Sequence, residues 1–343
     1  MSETLKEKEK FLRHQVIETG LKLLDTELVA RTWGNISGRL DGSRIIITPS
    51  GLDYRSLNND DLPILDYKSG RWTGQYKPSG EKLVHKAAYE IFPDVDFVVH
   101  THQTYATAIG LCGFDTLDIT PEESEALGGI ALASYGLPGS KTLEDAVRKA
   151  LETGAHTILM AHHGVLVAGK DSKDTMHKAL LLEKICERNC KSVPEYEVTD
   201  EALAKGENLR QLLQTNYKFS DVVQTPQAVF ISENSRGITA QLDDMAQMVG
   251  HKAPLAKGFD SSESAGEAIL KKMSKYPAIL VPGTGIAVRA ENAEDLEALK
   301  ILMHKAAVAN IHTSLSREKK RLSFADSAYM HYVYCKKYSK QKK

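Results

Sequence analysis

Two short apolar runs in this chain end in histidines, and that pattern limits the folds open to it. Phe97-Val98-Val99 leads into His100-Thr101-His102, and Thr157-Ile158-Leu159-Met160-Ala161 leads into His162-His163-Gly164, with Val165-Leu166-Val167-Ala168 continuing beyond. Runs of this length and makeup read as buried strands. Elsewhere the apolar spacing turns helical. Phe11, Leu12, Val16, Leu21, Leu23, Leu24 and Leu28 predict a helix over about 7–28. Pro78-Ser79 opens a second helix that reaches about Phe92, and a third covers about 173–189. Trp33-Gly34-Asn35-Ile36-Ser37-Gly38 reads as a glycine-rich turn, and Arg44-Ile45-Ile46-Ile47-Thr48 as a strand broken by Pro49-Ser50-Gly51. Strands alternating with helices predict an α/β (α+β) sandwich.

Beyond about residue 216 the pattern begins again. Ala228-Val229-Phe230-Ile231-Ser232 and Ala278-Ile279-Leu280-Val281 read as strands. At an offset of 121, Ile158-Leu159-Met160 falls on Ile279-Leu280-Val281, and Val165-Leu166-Val167 falls on Ile286-Ala287-Val288. Under the same offset Gly164 meets Gly285 and His163 meets Thr284, so the second copy lacks that histidine. The expectation is a catalytic domain over 1–219 and a smaller α/β extension over 220–343, a degenerate half-repeat. Leu242-Asp243-Asp244-Met245 reads as a helix start rather than a second metal site.

Charge narrows the partners. The 343 residues carry 44 basic and 45 acidic side chains, a formal net charge of -1, which gives no overall basic field for nucleic acid or an anionic membrane. Lysines gather at both ends (Lys6, Lys8, Lys10; Lys336, Lys337, Lys340, Lys342, Lys343) and read as solvated tails. No apolar run approaches the roughly 18 residues of a membrane span, and Met1 leads into charged residues. Cys112, Cys186, Cys190 and Cys335 contain no CxxC pair, so reduced thiols in the cytoplasm are expected.

The chemistry centres on the histidines. On a strand, His100 and His102 share a face with β-carbons about 7 Å apart, so both rings can reach one ion. Either His162 or His163 supplies a third ligand, since strand alternation turns only one of them inward. Three protein ligands with one open position is the arrangement of a catalytic zinc. The other histidines, including His14, His177 and His304, fall on helical patterns and read as structural. Glu81, which opens the helix before the histidine strand, is the candidate base; a helix-terminal acid is the alternative. Gly34-Asn35, Ser50-Gly51 and Ser79-Gly80 offer backbone N–H groups for a phosphate.

Taken in order, Trp33-Gly34-Asn35-Ile36-Ser37, Ile47-Thr48-Pro49-Ser50-Gly51, Lys77-Pro78-Ser79-Gly80-Glu81, His100-Thr101-His102 and His162-His163-Gly164 resemble the class II aldolase/adducin family over roughly 7–217. The resemblance is strongest to its zinc aldolases of fuculose-phosphate type. It implies an αβα sandwich around a largely antiparallel sheet, and a homo-oligomer, often a tetramer, with sites at subunit interfaces. It implies Zn2+ on His100, His102 and His163, Glu81 as acid/base, and a phosphate held by Asn35, Ser50, Gly51, Ser79 and Gly80. Tyr217 matches a tyrosine that shapes the site. The implied reaction is cleavage of a ketose 1-phosphate to dihydroxyacetone phosphate and an aldehyde through an enediolate. Epimerase, dehydratase and decarboxylase reactions, and a non-catalytic adducin-like role, are the alternatives. Two positions depart from the family: Gly80 stands where a second serine is usual, and the tyrosine that protonates the aldehyde falls near Pro121, leaving the adjacent Glu122 and Glu123 as substitute acids, with Glu122 the candidate.

Overall fold

The computed structural model describes residues 3–113, 117–192, 196–316 and 321–337. Lys340, Lys342 and Lys343 of the basic C-terminus lie outside the described residues. The chain divides into two compact units, Met1–Asn189 and Cys190–Lys343. The first runs through α1 (Glu3–Asp25), β1 (Asn35–Arg39), β2 (Arg44–Ile47), β3 (Ile64–Asp66), β4 (Trp72–Thr73), α2 (Lys82–Ile91), β5 (Phe97–Thr101) and α3 (Thr104–Cys112). It continues through α4 (Pro121–Ala126), β6 (Ile130–Ala133), α5 (Lys141–Leu151), β7 (Thr157–Met160), β8 (Gly164–Gly169) and α6 (Ser172–Asn189).

Its eight strands form one sheet in the order β4-β3-β2-β1-β5-β8-β7-β6. Each neighbouring pair is antiparallel except β6 and β7. Val98, Ile158, Met160, Leu166 and Ala168 point to one side of the sheet. There they bury against Val84, Ala87 and Ala88 of α2 and Leu143, Val147 and Leu151 of α5. Period-two alternation sends Phe97, Val99, Leu159, Val165 and Val167 to the other side, which α1, α3 and α6 cover. The central strands are therefore apolar on both faces, which explains their unbroken hydrophobic runs. The architecture is an αβα sandwich on a largely antiparallel sheet. A fully buried Leu or Ile in such a layer contributes about 1.5–3 kcal/mol on burial, and Leu166→Asp would place an unpaired charge in the middle of it.

Local structure departs from the sequence expectations in three places. Helix α1 begins at Glu3, so Lys6, Lys8 and Lys10 are exposed on a helix rather than on a tail. Gly34 makes the turn, but Asn35–Arg39 is a central strand. Gly38 sits inside it because Leu12 of α1 fills the space of a side chain: a Cβ there would lie 2.3 Å from the Leu12 Cδ1. Residues 228–232 are helical, not a strand. Thr225 accepts from the Ala228 N–H, and Pro226 takes the first helical position of α8 (Pro226–Asn234), so capping outweighs the β-branched content.

The second unit contains α7 (Asp200–Asn216), β9 (Ser220–Val223), α8, β10 (Gly237–Thr239), α9 (Asp243–Met248), β11 (Lys252–Pro254) and α10 (Glu263–Met273). It closes with β12 (Ala278–Val281), β13 (Gly285–Arg289), α11 (Ala293–Leu315) and α12 (Phe324–Lys337). Helix α7 packs on β9 and α10, so this unit begins ahead of the 219/220 division. Its strands form a sheet β12-β13-β9 and a separate pair β10-β11. Ala278, Gly285 and Ala293 open β12, β13 and α11, each 121 residues beyond Thr157, Gly164 and Ser172, which open β7, β8 and α6. The pairing register recurs too: Thr157 faces Val167 and Met160 faces Gly164, as Ala278 faces Val288 and Val281 faces Gly285. The Asp243-Asp244 pair opens α9, where Asp244 forms a buried ion pair with Lys305 at 2.6 Å. No helix among the described residues is long and apolar enough to cross a membrane.

Candidate active site

One edge of the first unit's sheet collects the reactive side chains. Strand β5 ends there, and β1, antiparallel to it, begins there with Asn35 opposite His100. Strand β7 ends there as well, and so does its parallel neighbour β6. His100 shares the face of Val98, the face covered by α2, and Glu81 is the N-cap of that helix. Two glycines permit the close approach of the strands. A Cβ on Gly34, whose φ is +125°, would lie 2.8 Å from the His100 carbonyl oxygen. One on Gly164 would lie 2.2 Å from the Thr101 carbonyl oxygen and 3.1 Å from His100 Cε1.

The turn between β7 and β8 chooses between the two adjacent histidines. His162 takes a left-handed φ of 68°, at a cost of about 1–2 kcal/mol. Its ring lies against Tyr135, 5.2 Å between centroids. His163 donates its N–H to the Met160 carbonyl at 3.0 Å and is buried beside His100, the two rings parallel and 4.9 Å apart. The Glu81 carboxylate spans both: Oε2 is 3.2 Å from His100 Nε2 and Oε1 is 2.7 Å from His163 Nε2. His102 Nε2 lies 3.0 Å from His100 Nε2. One ligand atom from each of Glu81, His100, His102 and His163 falls within 4.8 Å of the others, the group among the described residues that could hold a metal ion.

The tautomer of His100 tests whether this group suits a cation. Its Nδ1 lies 2.8 Å from the Val165 carbonyl oxygen, which can only accept. The Nδ1 therefore carries a proton, which leaves Nε2 as the ring atom turned to the cluster, as a metal ligand requires. Three imidazoles and a carboxylate suit zinc or another divalent transition metal. Burial works to raise the Glu81 pKa, but the neighbouring His100 and His163 outweigh it and hold the group well below the usual carboxylate range.

The two serine loops lie side by side. Pro49 and Pro78 form a β-bridge, Ser50 N–H donates to the Lys77 carbonyl, and Ser79 N–H donates to the Thr48 carbonyl, both at 3.0 Å. Ser79 Oγ accepts from the Glu81 N–H at 3.2 Å, which ties the loop to the start of α2. Gly51 turns the first loop with a φ of 76°. A Cβ on Gly80 would meet nothing within 4 Å, so the position is open although it carries no hydroxyl. Asn35 donates from Nδ2 to Glu81 Oε2 at 2.9 Å.

Two named residues make other contacts. Glu122 is exposed in the first turn of α4, its pKa lowered by its own backbone N–H and by the Thr120 hydroxyl. Tyr217 belongs to the second unit, where it caps α7, donates its hydroxyl to the Leu270 carbonyl at 3.2 Å and lies under Arg289. Conversely, Tyr135 follows β6 at the same edge and touches His162, although no local sequence pattern marks it. The missing signal was the parallel pairing of β6 with β7, which brings whatever follows β6 to the side of the histidine turn. Glu183 of α6 is likewise unmarked by the local sequence. It accepts from the Tyr105 and Ala106 N–H groups at 2.9 and 3.0 Å and so holds the start of α3, just after the histidine strand.

The family model of the Class II Aldolase and Adducin N-terminal domain matches residues 14–190. The chain belongs to this family. It is similar to the L-ribulose-5-phosphate 4-epimerase UlaF of Salmonella paratyphi B, with 30% identity over 187 residues, 51% of this chain and 82% of the epimerase. Among solved structures it is similar to an L-fuculose 1-phosphate aldolase at 27% identity, covering 54% of this chain and 91% of that one with a TM-score of 0.47. It is also similar to the L-fuculose 1-phosphate aldolase of Glaciozyma antarctica at 16% identity, covering 94% of this chain and 96% of that one with a TM-score of 0.46.

In the second unit of this family member the corresponding edge carries no ligands. Thr101 faces Val165 on β8 as Val223 faces Ile286 on β13, so His100, His102 and His163 correspond to Val222, Gln224 and Thr284. Gln224 donates to the Ala202 and Thr284 carbonyls at 2.7 and 3.1 Å and packs directly on Gly206 of α7.

Proposed function

We propose that this chain is a zinc-dependent aldolase that interconverts a ketose 1-phosphate with dihydroxyacetone phosphate and an aldehyde. The observation that carries the reading is the Glu81 carboxylate set between His100 and His163, at 3.2 and 2.7 Å. His100, His102 and His163 would hold the ion, which when bound supplies Lewis-acid polarisation of the substrate carbonyl. The loops of Ser50-Gly51 and Ser79-Gly80 receive the phosphate, with Asn35 at their border. Ser79 and Gly80 directly precede Glu81 in the chain. A phosphate on C1 held there leaves C3 within reach of the carboxylate.

In the synthetic direction Glu81 takes a proton from C3 of dihydroxyacetone phosphate. The carbon then attacks the aldehyde carbon, and the new alkoxide must receive a proton. Tyr135 is the better donor than Glu122, because its ring lies against His162, next to His163, whereas Glu122 is solvent-exposed. Glu81 has gained one proton and the tyrosine has lost one, so exchange with solvent restores both. Cleavage is the reverse. The same reading carries a cytoplasmic homo-oligomer, a tetramer in the family pattern, which the mass in solution checks.

A second reading has its own support in the likeness to a 4-epimerase. The C4 centre of a ketose lies β to the carbonyl, so breaking and remaking the C3–C4 bond inverts it with the same groups. A screen of ketose 1-phosphates and ketose 5-phosphates decides. Release of dihydroxyacetone phosphate from a ketose 1-phosphate supports the aldolase. Inversion at C4 of a ketose 5-phosphate without cleavage replaces it with the epimerase. Neither product, from protein loaded with zinc, removes both.

A further inference from the structure

We propose that a one-way chain of hydrogen bonds, Tyr89 to Ser37 to His85 to Asn35 to Glu81, sets the position of the Glu81 carboxylate, with His85 as its central positioning residue. The proposal rests on the reading of Glu81 as the proton-transfer group, but its geometry stands by itself.

Two elements supply the chain. Asn35 and Ser37 lie two apart on β1 and so share a face. Glu81, His85 and Tyr89 lie four apart along the start and body of α2 and so share a stripe. The stripe meets the strand face: Asn35 Nδ2 is 2.9 Å from Glu81 Oε2, His85 Nε2 is bonded to Asn35 Oδ1, Ser37 Oγ is 2.6 Å from His85 Nδ1, and Tyr89 Oη is 2.9 Å from Ser37 Oγ. Arg39, the next residue on that face of β1, closes the far end with its guanidinium 4.7 Å above the Tyr89 ring. Asn35, Ser37, His85 and Tyr89 are each at least 97% buried, so water cannot substitute for a missing partner.

Every direction follows from the carboxylate. An ionised Glu81 only accepts, so the amide nitrogen of Asn35 must face it and the amide oxygen must face His85. His85 therefore donates from Nε2, and its Nδ1 is the acceptor. The Ser37 hydroxyl donates to that Nδ1, and its oxygen accepts from Tyr89. No link can be reversed without leaving two donors or two acceptors face to face in the core, where an unmade hydrogen bond costs about 1–3 kcal/mol. Asn35 is thus committed through both ends of its amide. One of its two amide N–H groups serves Glu81, and its oxygen is taken by His85.

The test combines nitrogen-15 NMR of the histidine rings in metal-free protein with exchange of the C3 proton of dihydroxyacetone phosphate for solvent deuterium in zinc-loaded protein. His85 is expected as the Nε2–H tautomer with an unprotonated, hydrogen-bonded Nδ1. In His85→Leu the exchange kcat should fall about 10- to 100-fold, with zinc content and the KM for dihydroxyacetone phosphate near those of the parent. His85→Gln, whose amide N–H can still reach Asn35 Oδ1, should recover most of the loss. An Nδ1–H tautomer overturns the chain. So does a leucine variant that exchanges as fast as the glutamine variant, or a glutamine variant no better than leucine when both fold. If the parent protein exchanges no proton at all, the aldolase reading fails instead, and the ring tautomer still decides the chain.

Discussion

Gly164→Ala is the sharpest probe of how the fold makes the site, because the second unit contains its own control. A Cβ at position 164 would lie 2.2 Å from the Thr101 carbonyl oxygen, whereas the closest real contacts of this kind are about 3 Å. Relief requires β8 to move away from β5 by nearly an ångström, at the pair where Thr101 faces Val165. Losing or stretching one or two ladder hydrogen bonds costs about 1 kcal/mol each, and overpacking adds about 1–3 kcal/mol. The first unit should lose roughly 2–5 kcal/mol. The same displacement separates His163 from His100, so zinc affinity should fall as well. Gly285 is the corresponding residue in the second unit, with a Cβ that would lie 2.3 Å from the Val223 carbonyl oxygen. Its φ of +131° makes alanine there at least as costly. Yet no histidines flank it, so Gly285→Ala should lose stability while zinc binding stays near the parent value. Thermal unfolding of metal-free protein and calorimetric zinc titration of both variants measure the two effects. Equal zinc affinity in both variants, with Gly164→Ala folded, would refute the claim that this strand contact sets the histidine geometry.

Three further outcomes follow from particular residues. Lys305→Met should destabilise the second unit by about 3–5 kcal/mol in urea unfolding, because it removes the cation that faces the buried Asp244 carboxylate. Adding Asp244→Leu should recover most of that, and no recovery would mean the pair is not the cause. Burial lowers the His85 pKa to about 3, while the unfolded ring titrates near the ordinary imidazole value of about 6.5. Below pH 6.5 the unfolded chain thus binds one more proton, and stability present above that pH is lost as the pH falls toward 3. The slope from this ring is about 1.4 kcal/mol per pH unit. Denaturation midpoints in a chelator should show it, and His85→Gln should flatten it. Tyr135→Phe should slow aldol cleavage about 100-fold or more while leaving deuterium exchange into dihydroxyacetone phosphate intact. Loss of both reactions would assign Tyr135 to folding or binding instead.

Sequence pattern exposed what depends on period and order. The strand-end His100-Thr101-His102 and the runs at 97–99, 157–161 and 165–168 specify the central sheet, since strands buried on both faces leave unbroken apolar text. The 121-residue offset was legible because the second unit keeps the same hairpin and helix. What resisted was decided by long-range contacts. Asn35–Arg39 contains three polar residues and a glycine and reads as a turn, but α1 and α2 cover its two faces and make it a central strand. Residues 228–232 read as a strand until Thr225 and Pro226 cap them into α8. His162 and His163 could not be told apart by alternation, because the choice lies in a left-handed turn outside both strands. Tyr135 depended on a parallel pairing that no local pattern announces. Glu122 drew attention through its neighbourhood in the chain, and its neighbourhood in space is solvent.

Metal content tests the central claim most directly. Protein dialysed against zinc and then freed of excess should retain one zinc per chain. Retention should be lost in His100→Ala and His163→Ala, with the second unit contributing none, because Val222, Gln224 and Thr284 stand at its ligand positions. A chain that retains no divalent metal, or holds it equally well without His100 and His163, contradicts the account.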